Sequence, residues 1–90
     1  MSDPRPPAAP QNAMADLVGV MARALVDEPN QVEVAEFSGD GNSTIVELRV
    51  ARNDIGKVIG KSGRTAEAMR VVLTAASTKS GGRAHLDILD

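Results

Sequence analysis

Two glycines, Gly60 and Gly63, interrupt the clearest helical pattern in this chain of 90 residues. The apolar pair Val58-Ile59 precedes them and an amphipathic stretch from Arg64 follows. Glycine inside a helix costs about 0.5–1 kcal/mol relative to alanine. A pair at such a junction marks a backbone that bends tightly or lies close to something else. The run Val58-Ile59-Gly60-Lys61-Ser62-Gly63-Arg64 therefore predicts a sharp turn between two helices. It is bare of side-chain bulk, and Lys57, Lys61 and Arg64 bring positive charge.

The net charge is −2, but its distribution matters more than its sum. Residues 1–54 carry four basic and nine acidic side chains. Residues 55–83 carry six basic ones (Lys57, Lys61, Arg64, Arg70, Lys79 and Arg83) against Glu67 alone. The glycine turn thus lies in the basic part of an acidic chain. Salt screens charges beyond about 8 Å at physiological ionic strength, so a local patch attracts an anion despite the acidic whole. Lys79 and Arg83 read as solvation of a helix end. Phe37 is the only aromatic residue, which leaves little room for stacking bases on aromatic faces. A nucleic-acid site here has to work by backbone contact, an apolar groove and hydrogen bonds. The ligand this turn suits best is a phosphodiester backbone.

Composition excludes several other classes. Ninety residues make one domain at most. Without cysteine there is neither a disulfide framework nor a thiolate metal site. His85 is the only histidine and reads as a strand-surface residue, so no metal is expected. Ser62 lacks the base and orienting group that nucleophilic catalysis needs. No enzyme and no cofactor are expected. No apolar run approaches bilayer length, and residues 1–13 lack the apolar core of a secretory signal. The expected location is cytoplasmic, with no membrane contact.

Residues 1–13 hold four of the five prolines and predict a disordered extension, with residues 14–90 as the domain. A first helix begins near Asn12, a good N-cap. It carries Leu17, Val18, Met21, Ala22, Leu25 and Val26 as one stripe, and ends about Glu28, before Pro29. Strands follow at Val32 to Phe37 and Thr44 to Val50, joined by the turn-rich Ser38 to Ser43 as an antiparallel hairpin. Val46, Leu48 and Val50 share one face of the second strand. Asn53 or Asp54 caps a short helix through Val58. A longer helix runs from about Arg64 to Lys79, with Ala66, Met69, Leu73 and Ala76 buried, and Gly81-Gly82 ends it. Ala84 to Leu89 forms the last strand. The order is α-β-β-α-α-β, an α+β domain with a three-stranded sheet covered on one face by helices.

The loop Val58-Ile59-Gly60-Lys61-Ser62-Gly63, set between two helices, resembles the signature loop of KH domains. The hairpin before the helix pair and the strand at the end resemble the type II arrangement. From about Leu17 to Asp90 the chain is similar to the KhpA family of small bacterial single-KH-domain RNA-binding proteins. Leu48-Arg49-Val50-Ala51, Asp54-Ile55-Gly56-Lys57-Val58-Ile59-Gly60-Lys61 and Leu86-Asp87-Ile88-Leu89-Asp90 carry the likeness. The resemblance implies a type II KH fold that clamps about four single-stranded nucleotides. Lys57, Val58, Ile59, Gly60, Lys61, Ser62, Gly63 and Arg64 would contact RNA. Ile55 and Gly56 would lie in the groove, which Ile55, Val58 and Ile59 would wall on one side. It further implies an RNA chaperone acting in post-transcriptional control linked to cell division and wall synthesis. Its partners would be single-stranded RNA and a second KH protein, as a homodimer or a heterodimer with a KhpB/Jag-type protein.

Two other function classes stay open. One is a protein-interaction adaptor that keeps the fold and mainly dimerises. The other is a small nucleotide-binding protein, because Gly56-Lys57-Val58-Ile59-Gly60-Lys61-Ser62 resembles a P-loop. It has three residues between its glycines rather than four, and a helical segment rather than a strand before it.

Overall fold

The computed structural model describes residues 13–79 and 81–90. The Asn12 cap and the expected extension fall outside these residues, except that Ala13 is the first residue of α1 (Ala13–Leu25). β1 (Glu33–Ser38), β2 (Ser43–Arg49), α2 (Ile55–Ile59), α3 (Arg64–Lys79) and β3 (Arg83–Ile88) follow. Single 3₁₀ turns occupy Pro29–Gln31, Arg52–Asp54 and Lys61–Gly63. No helix among the described residues is long and apolar enough to cross a membrane.

The sheet is mixed, in the order β1-β2-β3. β1 pairs antiparallel with β2 through Val34↔Leu48 and Glu36↔Val46. β2 pairs parallel with β3 through Val46↔Leu86 and Leu48↔Ile88. A parallel pair needs a crossover connection, and α2, the glycine turn and α3 supply it. α1 packs on β1 and β2, and α3 on β3. The period-2 alternation turns Val46, Leu48 and Leu86 toward these helices, where they are buried with Val18, Ala22, Met69 and Leu73. Phe37, paired with Ile45 and through it with His85, lies on the opposite, uncovered face and is half exposed.

Each strand is offset by one residue from its expected span, within the usual uncertainty of element ends. The helices differ more instructively. α1 stops at Leu25, three residues before the expected end. The N–H groups of Asp27 and Glu28 turn away from the helix and donate to the Asp54 carboxylate (3.3 and 3.1 Å). Leu25, expected in the buried stripe, is exposed. α3 has its expected bounds, but Ser77 rather than Ala76 ends its buried row. Ser77 is one turn after Leu73, and its hydroxyl donates to Thr74 O (3.0 Å). Gly81, at φ +77°, closes α3 by donating to Thr78 O (3.0 Å).

An inward-facing carboxylate caps α1 from the sheet. The first N–H groups of a helix have no intrahelical acceptor. That of Ala15 donates to Glu36 Oε1 (2.8 Å) on β1, and the negative charge also suits the positive end of the helix dipole. Replacing this acceptor should cost about what loss of a helix cap costs, about 1 kcal/mol. Urea denaturation should show that loss for Glu36→Ala and a smaller one for Glu36→Gln, which keeps an acceptor oxygen.

Candidate nucleic-acid interface

α2, the glycine turn and the start of α3 form one continuous bend. Gly60 N–H donates to Gly56 O (2.8 Å) and closes α2, and Gly63 N–H donates to Gly60 O (3.1 Å) and closes the turn. Gly60 (φ 77°), Ser62 (φ 58°) and Gly63 (φ 75°) all lie in the left-handed region. That region costs a residue with a Cβ about 1–2 kcal/mol, so Ser62 is held there against its preference. Lys61, Ser62 and Arg64 are exposed, while Gly60 and Gly63 are half-buried.

The glycines of this stretch serve different ends. A Cβ on Gly60 would collide with the Thr65 side chain and come 2.9 Å from its backbone nitrogen. Gly60 is therefore required by packing within the protein, in keeping with a backbone that bends tightly here. A Cβ on Gly63 would meet nothing within 4 Å, and the same holds for Gly56. Gly63 still needs its positive φ. Gly56 does not have one, sits exposed in α2, and is disfavoured there by about 1 kcal/mol relative to alanine. Nothing inside the fold calls for glycine at position 56.

The three apolar residues expected to wall a groove part company. Val58 is fully buried in the main core, where α2 packs against α3 and α1; its side chain is a core element and not an open wall. Ile55 is half-buried against that core, and Ile59 is 38% exposed. A separate groove runs between α3 and β3, lined by Arg70, Thr74, Thr78, Arg83, His85 and Leu86. Arg70 reaches across it, with Nη2 3.5 Å from Leu86 O.

The cations divide as well. Lys57 Nζ lies 3.1 Å from Asp27 Oδ2 and 3.4 Å from Asp54 Oδ1. Among the described residues Lys61 and Arg64 make no ion pair. Asp54, expected as a helix cap, makes no capping bond from its side chain. It is 1% exposed, and its two carboxylate oxygens accept the N–H groups of Asp27 and Glu28. Sequence reading missed this role because no local pattern announces a buried acid whose partners are 26 and 27 positions away. Burial alone would push the Asp54 carboxyl up. The two backbone donors and the Lys57 ammonium outweigh it and hold the carboxyl below the usual carboxylate range. Asp27, and then Asp54, hold Lys57 above the usual lysine value.

A three-stranded mixed sheet with helices on one face, and a G-x-x-G turn between the last two helices, define a KH domain. Residues 15–88 match the family described as "KhpA/KhpB, KH domain". The chain belongs to that family. It is 53% identical over 77 residues to the "RNA-binding protein KhpA" of Halalkalibacterium halodurans, covering 86% of this chain and all of that one. It is 49% identical over 76 residues to the protein of the same description in Caldanaerobacter subterraneus, covering 84% of this chain and all of that one. Among solved structures, Era in complex with MgGDPNP and nucleotides 1506–1542 of 16S ribosomal RNA superposes with a TM-score of 0.63 at 21% identity. That match covers 98% of this chain and 35% of the Era chain, and shows likeness of fold.

Two outcomes follow from this geometry. Gly60→Ala combines a positive φ with a collision and should cost more than Gly63→Ala, whose penalty is the φ alone, about 1–2 kcal/mol. Thermal denaturation of the two variants checks the order. The second concerns pH. A carboxyl held low in the folded state contributes its full stability above the ordinary carboxylate range, and that contribution is lost as pH falls through the depressed value. The raised Lys57 contributes below the ordinary lysine range and fades as pH rises through its raised value. Urea denaturation across pH should therefore show Asp54→Asn less stable at neutral pH, with a flatter decline in acid than the parent.

Proposed function

We propose that this chain is a non-catalytic RNA-binding protein whose Gly60-Lys61-Ser62-Gly63 turn grips the backbone of a short single-stranded RNA segment. The observation that carries this reading is the open approach over Gly56 and Gly63, beside Lys61 and Arg64. The site runs from Lys57 to Arg64, with Ile55 and Gly56 at its groove end. The start of α3 carries a partial positive charge, although the Arg64 N–H is already spent on Lys61 O within the turn. A phosphate there gains that charge, together with the side chains of Lys61 and Arg64. Gly56 lets the RNA strand lie flat on α2, which accounts for a glycine the fold does not need. Ile59 offers an apolar contact beside the turn, and Arg70 and Arg83, in the separate groove between α3 and β3, add positive charge further along α3. Backbone contacts dominate affinity in such a site, and base contacts add preference.

A single short site binds weakly, and pairing two modules raises affinity through effective concentration. Leu25 and Val72 are exposed beside Met21, Ala24 and Ala68 in an apolar groove between α1 and α3. That surface supports a homodimer, or a heterodimer with a KhpB/Jag-type KH protein. In that setting the protein would act in the cytoplasm as an RNA chaperone in post-transcriptional control of cell division and wall synthesis. The same groove favours the second reading, an adaptor that chiefly binds protein. RNA recovered by cross-linking in cells supports the first reading, and a stable protein complex without RNA supports the second.

Replacing both Lys61 and Ser62 by Asp should abolish binding to single-stranded RNA in a fluorescence anisotropy titration while the circular dichroism spectrum is unchanged. Binding that persists would remove the turn as the site. Gly56→Ala should raise the thermal midpoint, since it stabilises α2 by about 0.5–1 kcal/mol, and should weaken RNA binding.

A further inference from the structure

We propose that Lys57 is a positioning residue of the RNA site and not one of its phosphate ligands. With Asp27 and Asp54 it ties the start of α2 to the chain leaving α1, and so fixes the direction of the glycine turn. The phosphate grip falls to Lys61 and Arg64. This inference rests on the reading of the turn as an RNA site.

An α2 of five residues is too short to hold its own geometry. Its direction depends on what it is tied to. Val58 anchors it below in the core. At its start, Asp54 accepts the N–H groups of Asp27 and Glu28. One turn later Lys57 closes the arrangement, with its ammonium between Asp54 Oδ1 and Asp27 Oδ2 (3.4 and 3.1 Å). The turn continues directly from α2, so any tilt of α2 displaces Lys61 and Ser62.

The chemistry explains why Lys57 stays where it is. Asp54 is a buried carboxylate with two backbone donors and one cation. Burying a charge is costly unless it is paired. Drawing Lys57 out to an RNA phosphate would strip Asp54 of its cation. Lys61 and Arg64 carry no such obligation among the described residues. They meet a phosphate without breaking an existing pair.

Salt dependence separates the two roles. Each phosphate contact to a single strand contributes a slope of about 0.7 to the fall of log affinity with log salt. A fluorescein-labelled oligouridine, titrated with the full chain over a range of salt concentrations, reads this slope. Lys61→Gln and Arg64→Gln should each reduce it by about 0.7. Lys57→Gln should leave it unchanged, lower affinity by about two- to fivefold at every salt concentration, and lower the thermal midpoint. Lys57→Arg, which keeps the tie, should restore both affinity and midpoint. A slope reduced in Lys57→Gln as in Lys61→Gln makes Lys57 a phosphate ligand and overturns the proposal. So does affinity unaltered by Lys57→Gln. If Lys61→Gln and Arg64→Gln leave binding and slope untouched, the turn is not the RNA site and the positioning role falls with it.

Discussion

β2 and β3 lie side by side and run the same way. Two parallel neighbours cannot be joined by a tight turn. The chain has to leave β2, travel over the sheet and come back to the start of β3, and it does so through α2 and α3. Because one face of the sheet must be covered, α3 settles on β3 over the buried row of Val46, Leu48 and Leu86, and α2 packs against α3 and α1. The reversal between the two helices is thereby lifted to the rim of the domain. The exposed position of Lys61 and Ser62 is thus a consequence of strand pairing many residues away.

A second constraint acts on the approach to that reversal. A sealed carboxylate cannot be left without donors, and Asp54 obtains its donors just past the end of α1, from the backbone amides of Asp27 and Glu28. One side chain thereby ties the chain leaving α1 to the residue that precedes α2. Around it the protein accepts features that do not favour stability: glycine in the middle of an exposed helical turn at position 56, and a left-handed Ser62. Strain and unneeded flexibility cluster where ligands are met, and here both fall within one stretch of the chain.

The fold was legible where its determinants are local. The period of α3, from Arg64 to Lys79, is written in its apolar spacing and in the glycines that follow. The alternation of Val46, Leu48 and Val50 states which face of β2 is buried. The glycine turn is visible because few other uses for such a pair exist between helices. The determinants of the remaining features are spread over distant segments. Glu36 carries no local sign of its role, yet it is an acceptor for α1. Leu25 matched the helical stripe, but the helix ended at it and left it exposed. Val58 was expected to wall the groove, and only the packing of α2 against α3 and α1 decided for core.

By itself the sequence determined the order of elements, the faces they bury and the place of the turn. Periodicity, glycine and proline act over a few residues and need no knowledge of distant partners. Tertiary structure alone decided what each side chain near the turn is for. Gly60 accommodates Thr65 while Gly63 opens to solvent, and Lys57 answers two carboxylates while Lys61 and Arg64 face outward. The physical reason is that packing, burial and charge pairing depend on distances in space. Those distances exist only once strands and helices far apart in the chain have come together.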